Sequence, residues 1–169
     1  MLVAALGLFA AASCRQGVAQ VQEGDLKAAY VYNFAVFTTW PADAALQKLP
    51  FVVCASTEGT LWAGLRALDG KLVNGRPWAT ADLVHPKGVR CDIAVLPPGV
   101  ERPSAQLAGA LVVRNGAGSG AVTGAANGPA AITLIDDDEH IRFDIDTREA
   151  ARNGLRFSSR LLRLARNIQ

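Results

Sequence analysis

The run Phe51-Val52-Val53-Cys54-Ala55 decides the fold, because no position in it is polar or charged. A strand covered on one face alternates apolar and polar residues, whereas a strand buried on both faces is almost continuously apolar. Two later runs are similar: Cys91-Asp92-Ile93-Ala94-Val95-Leu96, which is apolar apart from Asp92, and Ala110-Leu111-Val112-Val113. Together these runs predict neighbouring parallel strands of a sheet that helices cover.

Two segments near the first run have helical periodicity. Apolar residues recur at helical spacing from Asp25 to Phe37, and Pro41 prevents that helix from continuing. A second, shorter helix is predicted over 61–68, where Leu61, Leu65 and Leu68 share one face and Gly70 ends the helix.

The segments between the clear strands have weaker patterns. Residues 71–73 and 76–80 predict two short strands around the turn signal Asn74-Gly75. A short helix is expected over 105–108. Residues 115–130 contain too many glycines for a stable helix, so this stretch predicts an irregular loop.

A hairpin is the clearest element of the second half. Ile132 to Ile135 leads into the acidic tip Asp136 to Glu139, and the return strand alternates, with Ile141, Phe143 and Ile145 on one side. Sequential buried strands and a late hairpin predict a single α/β domain. Its sheet is mixed and mostly parallel, is flanked by helices, and ends in a C-terminal antiparallel hairpin.

The last part of the chain predicts two short helices. Thr147 is expected to cap a helix over 148–152, which Asn153-Gly154 ends. Ser158 or Ser159 is expected to cap a final helix with apolar residues Leu161, Leu162, Ala165 and Ile168.

The first residues predict export. Residues 1–13 are apolar and uncharged, and the small residues Gly17-Val18-Ala19 suit a signal-peptidase cleavage site, so 1–19 is interpreted as a signal peptide and 20–169 as the mature domain. The periplasm is therefore the expected compartment. Ala-Ala-Ser before Cys14 leaves an alternative open, in which the protein is lipid-anchored through Cys14.

The remaining cysteines, Cys54 and Cys91, are predicted to form a disulfide. Disulfides form in the oxidising compartments to which proteins are exported, and both cysteines lie on apolar runs that predict neighbouring strands. The alternative is a pair of buried free thiols that pack as small hydrophobic residues.

Several function classes find no support in the sequence. A formal net charge of +2 without a basic run argues against nucleic acid as a partner. Only two histidines occur, His85 and His140, and the common metalloprotease, hydrolase, phosphate-loop and redox motifs are absent. The acidic residues 136–139 read as a solvated turn, and the glycines of 116–120 have the wrong spacing for a dinucleotide fingerprint. We therefore predict a protein that is not an enzyme and has no metal or cofactor.

Two segments at opposite ends of the chain resemble the YfiR-like family. The first is Lys27-Ala28-Ala29-Tyr30-Val31-Tyr32-Asn33-Phe34, followed by Phe37 and Trp40-Pro41. The second begins at Phe143-Asp144-Ile145-Asp146 and continues through Ala150-Ala151 and Gly154-Leu155 to Ser158-Ser159-Arg160-Leu161-Leu162-Arg163-Leu164-Ala165. The resemblance thus spans residues 26–166. Asp146 departs from the family pattern, which usually has an Asn there, and one of the cysteine pairs found in the family is absent.

The resemblance implies a role in signalling. It implies an exported regulator with a mixed β-sheet and a disulfide, often dimeric, so a homodimer is expected. The implied partner is the periplasmic domain of an inner-membrane diguanylate cyclase or sensor kinase, with an outer-membrane lipoprotein as a further partner. The alternative is a small-ligand-binding or transport accessory protein with its pocket at the strand ends.

The candidate partner surface lies near the C-terminus. Leu155 and Phe157 precede a helix that bears Arg160 and Arg163, and this mixture of apolar residues and arginine is typical of interfaces. Trp40 is interpreted as packing on the core, because Phe34 and Phe37 lead directly into it; the alternative is an exposed anchor for a partner.

Overall fold

The structure, a computed structural model, describes residues 22–42, 48–84, 88–100, 107–116, 129–137 and 140–169. Within these ranges the helices are α1 (Glu23–Val36), α2 (Thr60–Arg66), α3 (Thr147–Arg152) and α4 (Ser159–Leu162). The strands are β1 (Thr38–Thr39), β2 (Phe51–Ala55), β3 (Leu72–Val73), β4 (Arg76–Asp82), β5 (Ile93–Leu96), β6 (Leu111–Asn115), β7 (Ile132–Asp137), β8 (His140–Ile145), β9 (Arg156–Phe157) and β10 (Asn167–Ile168).

Eight of these strands form one sheet, in the order β10-β8-β7-β6-β5-β2-β4-β3. The central strands β4, β2, β5, β6 and β7 are parallel to one another. Antiparallel pairing occurs between β7 and β8 and between β3 and β4, while β10 is parallel to β8. The mixed, mostly parallel α/β sheet and the late hairpin that the sequence predicts are therefore confirmed.

Both faces of the central sheet are buried, which explains the continuous apolar runs. On one face, here called the helix face, Phe51, Val53 and Ile93 belong to the same core as the buried residues of α1 and α2. On the opposite face, Cys54, Cys91 and Leu107 belong to a second, smaller core. Strand β2 thus supplies alternate residues to two cores, and all five of its residues are buried.

Helix α1 lies along the helix face from one end of the sheet to the other. Near its start, Lys27 Nζ lies 2.9 Å from Asp136 at the end of β7, and beyond its end Trp40 contacts Phe51 at the start of β2. We call the end of the sheet where the parallel strands begin the amino end, and the other the carboxyl end.

Glycine allows α1 to pack closely on α2. A Cβ at Gly24 would lie 2.5 Å from the backbone of Thr60, and a Cβ at Gly64 would lie 2.8 Å from the Gly24 carbonyl oxygen. Both distances are too short for any other residue, so the two helices meet through their backbones at this crossing.

Several local predictions are confirmed and two are wrong. The final helix ends at Leu162, and Ile168, which the sequence predicts on its apolar side, lies instead on β10, where it pairs with Ile145 of β8. Ser158 caps α4, because its Oγ accepts a hydrogen bond from the Leu161 N–H. The turn between β3 and β4 has positive φ at Asn74 and Gly75, as its sequence signal predicts. Thr147, however, is the first residue of α3 and not its cap. The cap is Asp146, whose carboxylate accepts hydrogen bonds from the N–H groups of Arg148 and Glu149.

Some predictions fall outside the described residues. These include the signal peptide over 1–19, Cys14, His85, the first half (105–106) of the short helix expected over 105–108, and residues 117–128 of the glycine-rich stretch. In the part of the chain that is described, no helix is long and apolar enough to cross a membrane.

Candidate partner-binding surface

A small second sheet joins the two ends of the chain at the amino end of the main sheet. Strand β1 pairs antiparallel with β9, which places Thr38 opposite Phe157 and Thr39 opposite Arg156. The Ser158 N–H donates to the Phe37 carbonyl at 2.9 Å and extends this pairing. The two segments that resemble the YfiR-like family are therefore brought together in space.

Local sequence explains how α1 turns into β1. Thr38 is buried, and its hydroxyl donates to the Phe34 carbonyl at 2.6 Å, which satisfies one of the free acceptors in the last turn of the helix. Across from this turn, Gly154 has φ +73° and a Cβ there would lie 3.2 Å from the Pro41 ring. A glycine therefore suits this position both for its backbone conformation and for the close approach of the proline.

Trp40 packs on the core, as the sequence analysis predicts. Its indole N–H donates to the Ala35 carbonyl at 3.0 Å, and its ring lies 5.0 Å from the Phe51 ring in an edge-to-face arrangement. The side chain is only partly buried. Trp40 therefore anchors β1 to the sheet and still leaves part of its ring at the surface.

The four predicted contact residues are placed in different environments. Leu155 is 1% exposed and belongs to the core, so it supports the surface from below. Phe157 is half-buried and packs on the same core. Arg160 and Arg163 are exposed, on the first turn of α4 and at its C-cap. Of the four, the two arginines are the residues that present most of their side chain to solvent.

Arg160 contacts Phe37, a residue for which the sequence predicts only a place on the apolar face of α1. Its guanidinium lies over the Phe37 ring, 5.6 Å from the ring centre. Arg156 lies on β9, four residues before Arg160, and is also exposed. We call the exposed or half-buried residues Phe37, Trp40, Arg156, Phe157 and Arg160 the β1–β9 surface. The pairing of Arg160 with Phe37 joins distant parts of the chain, so no local pattern announces it.

The predicted disulfide is present, between Cys54 on β2 and Cys91 immediately before β5. The two Cα atoms are 5.7 Å apart, and both side chains are buried on the face opposite the helices. Next to Cys91, the Asp92 carboxylate forms two hydrogen bonds with the Arg76 guanidinium. This cross-linked region holds β2, β4 and β5 together at the amino end.

A second polar cluster lies at the carboxyl end of the sheet. Lys27 is 4% exposed and forms ion pairs with Glu23 and Asp136. Burial opposes the charged form of Lys27, but the hydrogen bonds and attraction of these two carboxylates outweigh it and raise the pKa of Lys27 above its usual 10.5. Asp136 Oδ1 and Asn115 Oδ1, on neighbouring strands, are buried and have no hydrogen-bond partner among the described residues.

A metal site finds no support in the described residues. No group of three or more His, Cys, Asp or Glu residues in the described ranges could hold a metal ion. His140, at the start of β8, is exposed and opposite Asp137 in the hairpin.

The match to a protein family covers both terminal segments that resemble the YfiR-like family. The sequence model of the YfiR/HmsC-like family matches residues 24–166, from the first turn of α1 to the arginine that precedes β10. No curated protein matches the chain. Because the family match spans nearly all of the 169 residues, the protein belongs to the YfiR/HmsC-like family.

Proposed function

We propose that this protein is a periplasmic regulator that acts by binding another protein and not by catalysis. Its partner would be the periplasmic domain of an inner-membrane signalling protein, a diguanylate cyclase or a sensor kinase. The observation that carries the proposal is membership of the YfiR/HmsC-like family over residues 24–166. The disulfide supports an oxidising compartment, because such bonds persist outside the cytosol.

The partner is proposed to bind at the β1–β9 surface. This surface combines half-buried aromatic rings with exposed arginine, the residue types that dominate binding energy in protein interfaces. Leu155 and Trp40 fix its backbone to the core, so little conformational freedom is lost when a partner binds.

Regulation would proceed by a shift in population. A protein that binds one conformation of a membrane receptor more tightly than another biases the receptor towards that conformation. Only the difference between the two affinities has an effect, and a tenfold difference corresponds to about 1.4 kcal/mol. The same proposal includes two further contacts. The regulator forms a homodimer, and an outer-membrane lipoprotein binds it and so keeps it from the signalling protein.

The experiment is a crosslinking capture from the native envelope with the tagged protein, followed by mass spectrometry. We expect recovery of an inner-membrane cyclase or sensor kinase, and deletion of this protein should change the cellular level of cyclic di-GMP or the phosphorylation of that kinase. Recovery of no membrane signalling protein, under conditions that capture other envelope complexes, would show that the proposal is wrong.

A second candidate function is the binding of a small ligand at the carboxyl end of the sheet. The observation that favours it is a pair of buried acceptors, Asp136 Oδ1 and Asn115 Oδ1, for which the described part of the chain offers no donor, because buried polar atoms normally have a hydrogen-bond partner. Ligands of open α/β sheets bind at this end. Native mass spectrometry of the purified protein would test it, since a bound metabolite would add a defined mass that Asn115→Leu removes.

A further inference from the structure

Charge is separated along the direction of the parallel strands. The carboxyl end has the exposed acidic residues Glu23 and Asp25 in the first turn of α1 and Glu58 after β2, together with the half-buried Asp137 at the end of β7. The C-terminal part of the chain, from Thr147 to Gln169, contains six arginines and one acidic residue, so the excess positive charge is concentrated there. Most of this C-terminal part lies at the amino end of the sheet, where α3 follows β8 and β9 pairs with β1.

Two of the six arginines are already paired within the chain. Arg152 bonds to the buried carboxylate of Glu149, and Arg166 forms two hydrogen bonds with Asp144. The other four, Arg148, Arg156, Arg160 and Arg163, are exposed and form no ion pair with any residue in the described ranges. The positive charge of these four side chains is thus available to a partner.

The arrangement around α4 adds an apolar contact to this charge. Arg160 and Arg163 are three residues apart in a helical segment, so they lie on the same side of it. Leu164, directly after Arg163, is 66% exposed, so an apolar side chain lies open to solvent beside these two arginines. A segment that docks here would meet positive charge and an apolar side chain together.

We propose that the partner docks an acidic segment, with at least two carboxylates and an apolar side chain, on Arg156, Arg160, Arg163 and Leu164. This inference rests on the proposed function and specifies the chemistry of the partner. Guanidinium groups bind carboxylates through two parallel hydrogen bonds, and the contact of Arg160 with the Phe37 ring orders one of them before binding.

Site-specific photocrosslinking in the native envelope tests this proposal. A benzophenone amino acid replaces Leu164 in the full chain, and the peptide to which it attaches is sequenced by mass spectrometry. We expect an adduct with an acid-rich segment of an inner-membrane signalling protein. Arg163→Glu should reduce the adduct at least tenfold. Arg66→Glu should change it less than twofold, because Arg66 is also exposed at the end of a short helix but lies on α2.

Other results would overturn the proposal. These are an adduct with lipid, with a second copy of this chain or with a segment that has no acidic excess, and an equal loss in the Arg163→Glu and Arg66→Glu variants. A second probe at the exposed Thr39 separates this proposal from the proposed function. Capture of a signalling protein through Thr39 alone would contradict only the docking at Leu164, whereas capture through neither position would count against both.

Discussion

Arg76 and Asp92 form a buried pair of parallel hydrogen bonds that links the starts of β4 and β5. Arg76 donates through Nη1 to Asp92 Oδ1 at 2.9 Å and through Nη2 to Asp92 Oδ2 at 2.7 Å. Its side chain is 6% exposed and that of Asp92 is 9% exposed. Asp92 also accepts the Val52 N–H at 2.8 Å, and Arg76 donates to the carbonyls of Leu49 and Pro50. The pair therefore joins three strands and the segment before β2.

Arg76→Met should lower the free energy of unfolding by about 3–5 kcal/mol, because it leaves the Asp92 carboxylate buried without its counter-charge. The double variant Arg76→Met/Asp92→Asn should recover part of this loss, since an asparagine oxygen can still accept the Val52 N–H. Urea unfolding of both variants measures the difference. A loss below about 1 kcal/mol in the single variant would mean that the pair has little effect on stability.

Replacement of both Cys54 and Cys91 by alanine should cost about 4 kcal/mol of unfolding free energy on the chain-entropy model, because the bond closes a loop with a sequence separation of 37 residues. Reduction of the wild-type protein should shift its urea midpoint in the same direction. The double variant is the control, since a reductant should leave its midpoint unchanged. A similar shift in the double variant would assign the effect to something other than this bond.

The elements that sequence analysis predicted are those with a pattern of their own. Local sequence patterns predict three of these elements: the continuous apolar run predicts β2, the alternation of apolar and polar residues predicts β8, and Asn74-Gly75 predicts the turn between β3 and β4. Strands β1, β9 and β10 have two residues each, too few for any periodicity, and exist because tertiary packing brings a distant partner beside them.

The candidate surface was only partly predictable for the same reason. Arg160 and Arg163 could be recognised as exposed residues of a short capped helix. Leu155 looks similar in sequence, yet the turn that places it after α3 directs its side chain into the core. The contact between Arg160 and Phe37 depends on β1–β9 pairing, and thus on the whole fold.

Asp146→Ala should cost about 1 kcal/mol of stability, because the first N–H groups of α3 lose their acceptor. Asp146→Asn should stay within about 0.5 kcal/mol of the wild type, since asparagine caps helices about as well as aspartate. Thermal unfolding of the two variants checks this. An equal loss in both would show that the carboxylate charge, and not the cap, is what matters at this position.

Stability should fall at alkaline pH through Lys27. Its pKa is raised in the folded protein, so its contribution is fully present below the unfolded-state value of 10.5 and is lost as the pH rises through the folded-state value. Lys27→Met should be less stable than the wild type by about 1–2 kcal/mol at pH 7, and this gap should shrink above pH 10.5. Urea unfolding between pH 7 and pH 11 measures it. Lys48→Met, at an exposed position, should show no such gap.

Release of the C-terminal strand should follow from loss of Arg166. Its guanidinium donates to both oxygens of Asp144 at 2.9 and 2.7 Å, and these hydrogen bonds raise the pKa of Arg166, which keeps its charge at all ordinary pH. Asp144 is 5% exposed, so its carboxylate would remain buried and unpaired in Arg166→Gln. We expect faster hydrogen exchange at the amides of Thr147 and Gln169, whose hydrogen bonds link the chain end to the end of β8, together with a loss of about 2–3 kcal/mol in the free energy of unfolding.

Arg166→Lys should be intermediate, because an ammonium group keeps the charge but cannot form the two parallel bonds. If Arg166→Lys behaved as the wild type, charge alone would hold β10; unchanged exchange in Arg166→Gln would instead show that the backbone bonds of β10 are sufficient.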